Sequence, residues 1–337
     1  MRSASLDLSR FIAAFIVLMG HFLFSDPLLA PYTTSVYLSV LHTGFQSVDY
    51  FFCLSGFVLT LKSINIVGWQ WLKARLIRLM PIYWICWLVP VLVFLIFQPK
   101  LITGIGSFGL FLSAVGSQSL SLNHYLDGPN SPLWSLSVEI WLSVLLIPIS
   151  RLKSLKNLGY LFVLLVILSN FSPAPIVRAL PYFLMGVIAA KVVNNRPTLL
   201  ISPSMKLICG FMVLAYWIVL PILSLDFSPY PFLKSSLHLL LTLVTLIYFY
   251  FFKVPASLSN LSDKLGKRSY VIYACHAPIL FFYSQTISKY FSEFITPALV
   301  PPYLLLGIAV IALVTEILYR TVEIRAISAA RLSLKRK

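Results

Sequence analysis

Five ionisable side chains within or at the edge of long apolar runs stand out in this 337-residue sequence: Arg10, His21, Asp49, Glu139 and His276. A charge at the depth of a bilayer is costly, so such groups face a bundle interior or a wet cavity and mark functional sites. Arg10 and His21 are eleven residues apart. In an α-helix that is about three turns and roughly 16 Å of rise, so both project from one face. A single helix can therefore set a guanidinium at a membrane boundary and an imidazole deeper along the same wall. A ligand with a phosphate-rich head and a long arm matches that spacing. An imidazole with a carboxylate nearby, Asp49 or Glu139, suits acyl transfer. The ring removes a proton from an attacking hydroxyl, and the carboxylate orients the ring and steadies its cation. Plainer readings stand beside these. A lone intramembrane histidine can be structural, and either carboxylate can pair with a hydroxyl or cap a broken helix. The stretch SPLWSLSVE surrounds Glu139 with such partners, and Asp7 can serve Arg10 as a local ion pair. His42, His124 and His238 receive no role. The sequence has no GxSxG, HExxH or GxxxxGK[ST] pattern, so serine-hydrolase, zinc-protease and P-loop chemistries lack support.

The elements that must hold these residues follow from composition. The chain is 59% hydrophobic and 11% charged, with mean hydropathy +0.90. A soluble globular domain carries about 25% charged residues, so most of this surface faces something other than water. The apolar runs are continuous rather than alternating, which predicts helices, not a barrel. The expected fold is all-α, a polytopic transmembrane bundle of about ten spans: 10–24, 36–61, 80–97, 133–150, 157–171, 176–192, 206–223, 234–252, 269–287 and 299–319. The Gly-rich segment 104–115 is expected to be re-entrant or interfacial. The loop 66–79 mixes Trp69 and Trp71 with Lys73, Arg75 and Arg78, a composition suited to an interfacial helix or simple anchoring. Residues 1–337 are expected to form one membrane domain without an appended soluble domain. Cys53, Cys86, Cys209 and Cys275 lie in apolar stretches without a CxxC pair. They read as small buried hydrophobes rather than metal ligands or disulfide partners.

The net charge of +16 and pI of 9.8 would suggest nucleic acid in a soluble protein. Here the cations segregate instead. With ten spans, Lys100, Arg178, Lys234 and Lys289 fall on one side, and the other 22 of the 26 Lys and Arg residues fall on the other. The positive-inside rule then places both termini in the cytoplasm and reads the basic residues as loop anchors, so no nucleic acid partner is expected. A missed helix would invert every later loop and scramble this segregation. The first apolar run ends at His21 without a small-residue cleavage site, so it is expected to stay as the first span.

Several segments resemble the membrane acyltransferase-3 family, which O-acylates bacterial surface polysaccharides, lipopolysaccharides and some small molecules. LDLSRFIAAFIVLMGH is similar to the family's opening helix, with Arg10 and His21. VDYFFCLSGFVL is similar to its second helix, with Asp49, Ser55 and Gly56. RLIRLMPIYW, with Arg75, Arg78, Pro81 and Tyr83, resembles a third block, and LWSLSVE, with Trp134, Ser135 and Glu139, a fourth. RALPYFLMG and SYVIYACHAP resemble later ones. The order holds from about residue 6 to 325. One departure is that Glu323 is followed by Ile324-Arg325 rather than by x-Pro, which puts a role for that motif in doubt. The resemblance implies acyl-CoA, acetyl-CoA above all, as donor, with Arg10 and, more loosely, Arg75 and Arg78 on its phosphates. It implies His21 as general base or brief acyl carrier, oriented by Glu139 or Asp49, with no metal. It further implies a carbohydrate or lipid-linked glycan as acceptor, the bacterial cytoplasmic membrane as location and lipid as surroundings. Some members carry a fused extracytoplasmic domain that completes transfer. This sequence shows none, so transfer is direct or uses a separate extracytoplasmic partner. The rival reading is a transporter or flippase for a lipid-linked sugar. It uses intramembrane charges equally well, but no internal repeat of the kind common in transporters is present.

Overall fold

A computed structural model describes residues 4–26, 28–29, 44–63, 67–120, 128–195, 202–219, 231–291 and 296–335. His42, His124, Asp127, Asp226 and Glu293 lie outside these. Among the described residues every regular element is helical. In chain order the helices are α1 (Ala4–Ser25), α2 (Gly44–Ser63), α3 (Trp69–Phe97), α4 (Pro99–Ala114), α5 (Leu133–Arg151) and α6 (Leu155–Phe171). They continue with α7 (Pro175–Asn195), α8 (Pro203–Leu214), α9 (Pro231–Phe251), α10 (Ala256–Phe291), α11 (Val300–Leu318) and α12 (Ile324–Lys335). Among the described residues six stretches are long and apolar enough to cross a membrane: Ala4–Leu23, Trp69–Phe97, Leu133–Arg151, Pro175–Asn195, Phe232–Phe251 and Pro297–Lys335. The described parts of the other four expected spans fall on α2, α6, α8 with the π-helical turn Ala215–Val219, and the second half of α10, while 36–43 and 220–223 lie outside the described residues.

Two expected boundaries are redrawn. The interfacial helix over 66–79 and the span over 80–97 form one helix, α3, of 29 residues. At 1.5 Å per residue it is about 44 Å long, well beyond a hydrocarbon core of about 30 Å. Its first turns are rich in Leu, Lys, Ala, Arg and Met, all strong helix formers, and Pro81 sits inside without ending it. Segment 104–115 belongs to α4, a helix kinked at Gly106, where φ is 74°. A side chain there would be strained, and glycine takes that conformation freely.

Close helix contacts set the core. α1 lies along α10 and α2, α2 crosses α7, and α5 bridges α7 and α3. Ile82, Tyr83, Leu133, Val138, Leu142, Phe183, Val187 and Ala274 fill the space between them. At the α2–α7 crossing, an added Cβ on Gly56 would stand 2.1 Å from the Phe183 carbonyl oxygen, and one on Gly186 would stand 2.0 Å from that of Cys53. The backbones therefore touch, as in membrane helix pairs built on small residues. Outward faces of α3, α6 and α11 carry exposed Trp84, Leu88, Leu92, Ile96, Val163, Leu164, Leu305 and Leu313. Apolar surface on that scale fits lipid, not water. All four cysteines are buried and free.

The tail turns inward. A π-helical turn, Tyr319–Glu323, joins α11 to α12, and α12 packs on the first half of α3. Arg268 of α10 clamps Glu316 of α11 through two bonds of 2.5 and 3.0 Å, and its guanidinium lies 4.5 Å from the ring centre of Tyr319. This bidentate pair fixes the register of α11 against α10.

Candidate active site

α1, α2, α3, α5, α10 and α12 enclose a cavity of about 540 Å³. Its lining includes five basic side chains, Arg10, Lys62, Arg75, Arg78 and Arg331, and a single carboxylate, Glu139. Phe51, Phe52, Trp71, Tyr270 and Tyr273 supply aromatic walls. An excess of fixed cations in a low-dielectric cleft selects a polyanion.

Helix geometry explains the cluster. Arg75 and Arg78 are three residues apart on α3 and so share one face. Trp71, one turn earlier, is buried and sits 5.9 Å from the Arg75 guanidinium, whereas Trp69 is 75% exposed. The two tryptophans thus divide their work, one inside the site and one outside. Arg75 donates to Glu139 Oε1 at 2.6 Å and to Ser143 Oγ at 2.7 Å. Ser55 of α2 also donates to Glu139 Oε1, at 3.3 Å. Arg78 donates to Glu323 Oε1 at 3.3 Å, and Glu323 is fully buried with its second oxygen unsatisfied by any protein group. The sequence departs from the family pattern just after Glu323, yet the residue reaches the cavity's own arginine. Arg10 contacts Asp7 at 3.4 Å, and Gly266 of α10 lies so close to Asp7 that an added Cβ would come within 2.4 Å of its Cβ.

His21 lies off this cavity. Its Nδ1 is 2.9 Å from the Val17 carbonyl oxygen and 3.3 Å from Nε2 of His276. The rings meet edge to face with centroids 5.0 Å apart. Tyr273 links the two regions. It lines the cavity, bonds Ser135 Oγ at 2.6 Å, and its ring centroid lies 5.8 Å from that of His276.

The expected neighbours of His21 are placed elsewhere. Neither Glu139 nor Asp49 hydrogen-bonds to it: Glu139 neutralises Arg75, and Asp49 is bonded to Tyr182 and faces Arg178. A guanidinium away from bulk water captures a carboxylate that can pair with it, because an unpaired buried charge costs several kcal/mol. The ring that meets His21 is instead His276, which the sequence marks by its depth and by its place in SYVIYACHAP but not as a partner of His21. Lys62 and Arg331 read only as boundary and tail cations in the sequence. Asp26 carried no signal beyond its acidity. It is buried, accepts from Ser284 at 2.8 Å and from the Tyr303 hydroxyl, and so ties the end of α1 to α10 and α11.

A family model of the acyltransferase-3 type, described as an acyltransferase domain, matches residues 3–316. No curated protein and no solved structure matches. Glu323 and Arg331 lie beyond the matched range.

Proposed function

The chain belongs to the membrane acyltransferase-3 family, and from that premise we propose that it transfers an acetyl-type acyl group from acyl-CoA to a hydroxyl of a cell-surface carbohydrate or lipid-linked sugar. The observation that carries this reading is the cation-rich cavity with aromatic walls. Its volume, about 540 Å³, falls within the roughly 300–1,000 Å³ of small-molecule and cofactor sites. The diphosphate and 3′-phosphate of CoA lie against Arg10, Arg75 and Arg78. Glu139 keeps Arg75 aimed into the cavity and Glu323 does the same for Arg78, so both carboxylates act through an arginine. The pantetheine arm runs along α1 toward Tyr273, behind which His21 and His276 stand. His21 serves as general base on the acceptor hydroxyl. Asp49, with Arg178 and Tyr182, belongs to a second polar cluster beside the one that holds the donor.

Arg10→Ala should weaken acyl-CoA binding about tenfold or more, because a charge-assisted hydrogen bond contributes about 1.5–3 kcal/mol and tenfold is about 1.4 kcal/mol. Acceptor binding should barely change. Lysine at this position should restore part of the loss, since a point charge lacks the planar fork. Calorimetric titration of the purified protein with acetyl-CoA measures this. Unchanged affinity in folded Arg10→Ala removes the residue from the donor site.

The proposed location is the bacterial cytoplasmic membrane, with both termini in the cytoplasm and the acceptor arriving from the opposite face. Cysteines introduced near Asp127, Asp226 and Glu293 should react with an impermeant thiol reagent added outside intact cells. Cysteines near Lys153 and Lys264 should not. Because the native cysteines are buried, background labelling should be low. Labelling of position 264 from outside overturns the ten-span orientation.

A further inference from the structure

The hydrogen bonds around His21 fix more than its position. Its Nδ1 faces the Val17 carbonyl at 2.9 Å, and Nδ1 of His276 faces the Ile272 carbonyl at 3.1 Å. A carbonyl only accepts, so each Nδ1 carries the hydrogen and each Nε2 carries a lone pair. The lone pair on His276 Nε2 lies 3.3 Å from His21 Nδ1 and takes a second share of that N–H. Among the described residues no protein donor reaches His21 Nε2, which is left as the basic nitrogen. We propose that His276 is a positioning residue for His21. It shares the Nδ1–H that the Val17 carbonyl already fixes, sets the tilt of the ring and stabilises the charge that His21 gains. This deepens the reading of His21 as general base and rests on it.

The arrangement does the work expected of a carboxylate without burying one. His276 is fully buried, and an ionised acid there would carry a large desolvation cost. A neutral imidazole accepts the Nδ1–H and still favours the imidazolium once it forms. In the transfer step, His21 Nε2 takes the hydroxyl proton as the acceptor oxygen bonds to the thioester carbon. The C–S bond then breaks, and the proton passes from Nε2 to the departing sulfur, giving the ester and the CoA thiol. The Nδ1–H stays in place throughout. Helix packing secures the register that this requires. α1 and α10 are in backbone contact at Gly266 and Asp7 and are joined again where Ser284 donates to Asp26. His21 and His276 lie between those two ties.

Two measurements on the purified full-length protein test the proposal. The first uses ¹⁵N-labelled histidine, with the His21 signals assigned by comparison with His21→Gln. The wild type should show His21 with a protonated Nδ1 and a bare Nε2. The opposite tautomer overturns the proposal, and this readout needs no activity. The second is kinetic. His276→Phe keeps a ring of similar volume but no acceptor, and kcat should fall about 10–100-fold, the loss typical when the partner that orients a metal-bound imidazole is removed, with KM for acetyl-CoA unchanged. His276→Gln can offer its amide oxygen near the Nε2 position and should recover part of kcat. Wild-type kcat in His276→Phe, or a glutamine variant no better than phenylalanine, also overturns it. Should His276→Phe not fold, His276→Gln and His276→Leu compared in kcat take its place, and the wild-type tautomer can still overturn the proposal. Should the wild type transfer no acyl group at all, the functional reading falls while the tautomer result still judges the histidine pair.

Discussion

A folded His21→Ala protein should bind acyl-CoA as the wild type does and turn over at least about 10²-fold more slowly. General base catalysis typically contributes about 10²–10⁴-fold, and the imidazole beside His21, that of His276, is fully buried. The cations proposed to hold the donor line a cavity that does not include His21, so binding and chemistry should be separable. Acetyl-CoA affinity by calorimetry and single-turnover acyl transfer, measured on the same preparation, check both halves. A structural histidine predicts another pattern. Its removal would loosen the α1–α10 contact, lower the thermal midpoint and weaken donor binding together. Acyl transfer near the wild-type rate in folded His21→Ala would sink the base assignment, and His276 would become the next candidate for that role.

The features that can be read in the sequence are those that one helix fixes by itself. Arg10 and His21 share a face because eleven residues of unbroken helix make nearly whole turns, and α1 runs unbroken from Ala4 to Ser25. Arg75 and Arg78 read as a cationic pair for the same reason. Partners are another matter. Arg75 meets Glu139 across 64 residues, Arg78 meets Glu323 across 245, and His21 meets His276 across 255. Periodicity says which residues lie on a face but not which helix that face meets. Expecting Glu139 beside His21 rests on both lying in apolar runs and on the resemblance, and a place in an apolar run leaves the direction around each helix axis undetermined. Arg331 was hidden for a related reason. It belongs to a basic terminal segment that reads as membrane-surface charge, until the π-helical turn carries α12 back against α3. Helix ends were also only partly legible. Hydropathy marks where a chain enters lipid, but a helix such as α3 continues past that plane as long as its residues favour it.

The small residues in the second and seventh helices carry the other large expected effect, which does not depend on what the protein acylates. Gly186→Ala should lower the thermal midpoint sharply and abolish most activity, and Gly56→Ala should do the same. At 2.0 Å from the Cys53 carbonyl oxygen and 2.8 Å from the Phe57 nitrogen, the new methyl meets only backbone. No side chain can swing aside, so α2 and α7 must separate. Overpacking of this kind costs about 1–3 kcal/mol and sometimes more, and a rigid carbonyl contact belongs at the upper end. Activity suffers beyond stability because α2 carries Phe51, Phe52 and Lys62 of the cavity and the Ser55 hydroxyl that bonds Glu139. Moving α2 away from α7 shifts all four. Gly159 of α6 gives the matched control. An added Cβ there meets nothing within 4 Å, and alanine is favoured over glycine within a helix by up to about 1 kcal/mol. Gly159→Ala should therefore leave activity intact and hold or slightly raise the midpoint. Thermal unfolding in detergent and acetyl transfer from acetyl-CoA, measured side by side on the three variants, separate the cases. A Gly186→Ala protein as stable as Gly159→Ala would mean that α2 and α7 do not cross in backbone contact.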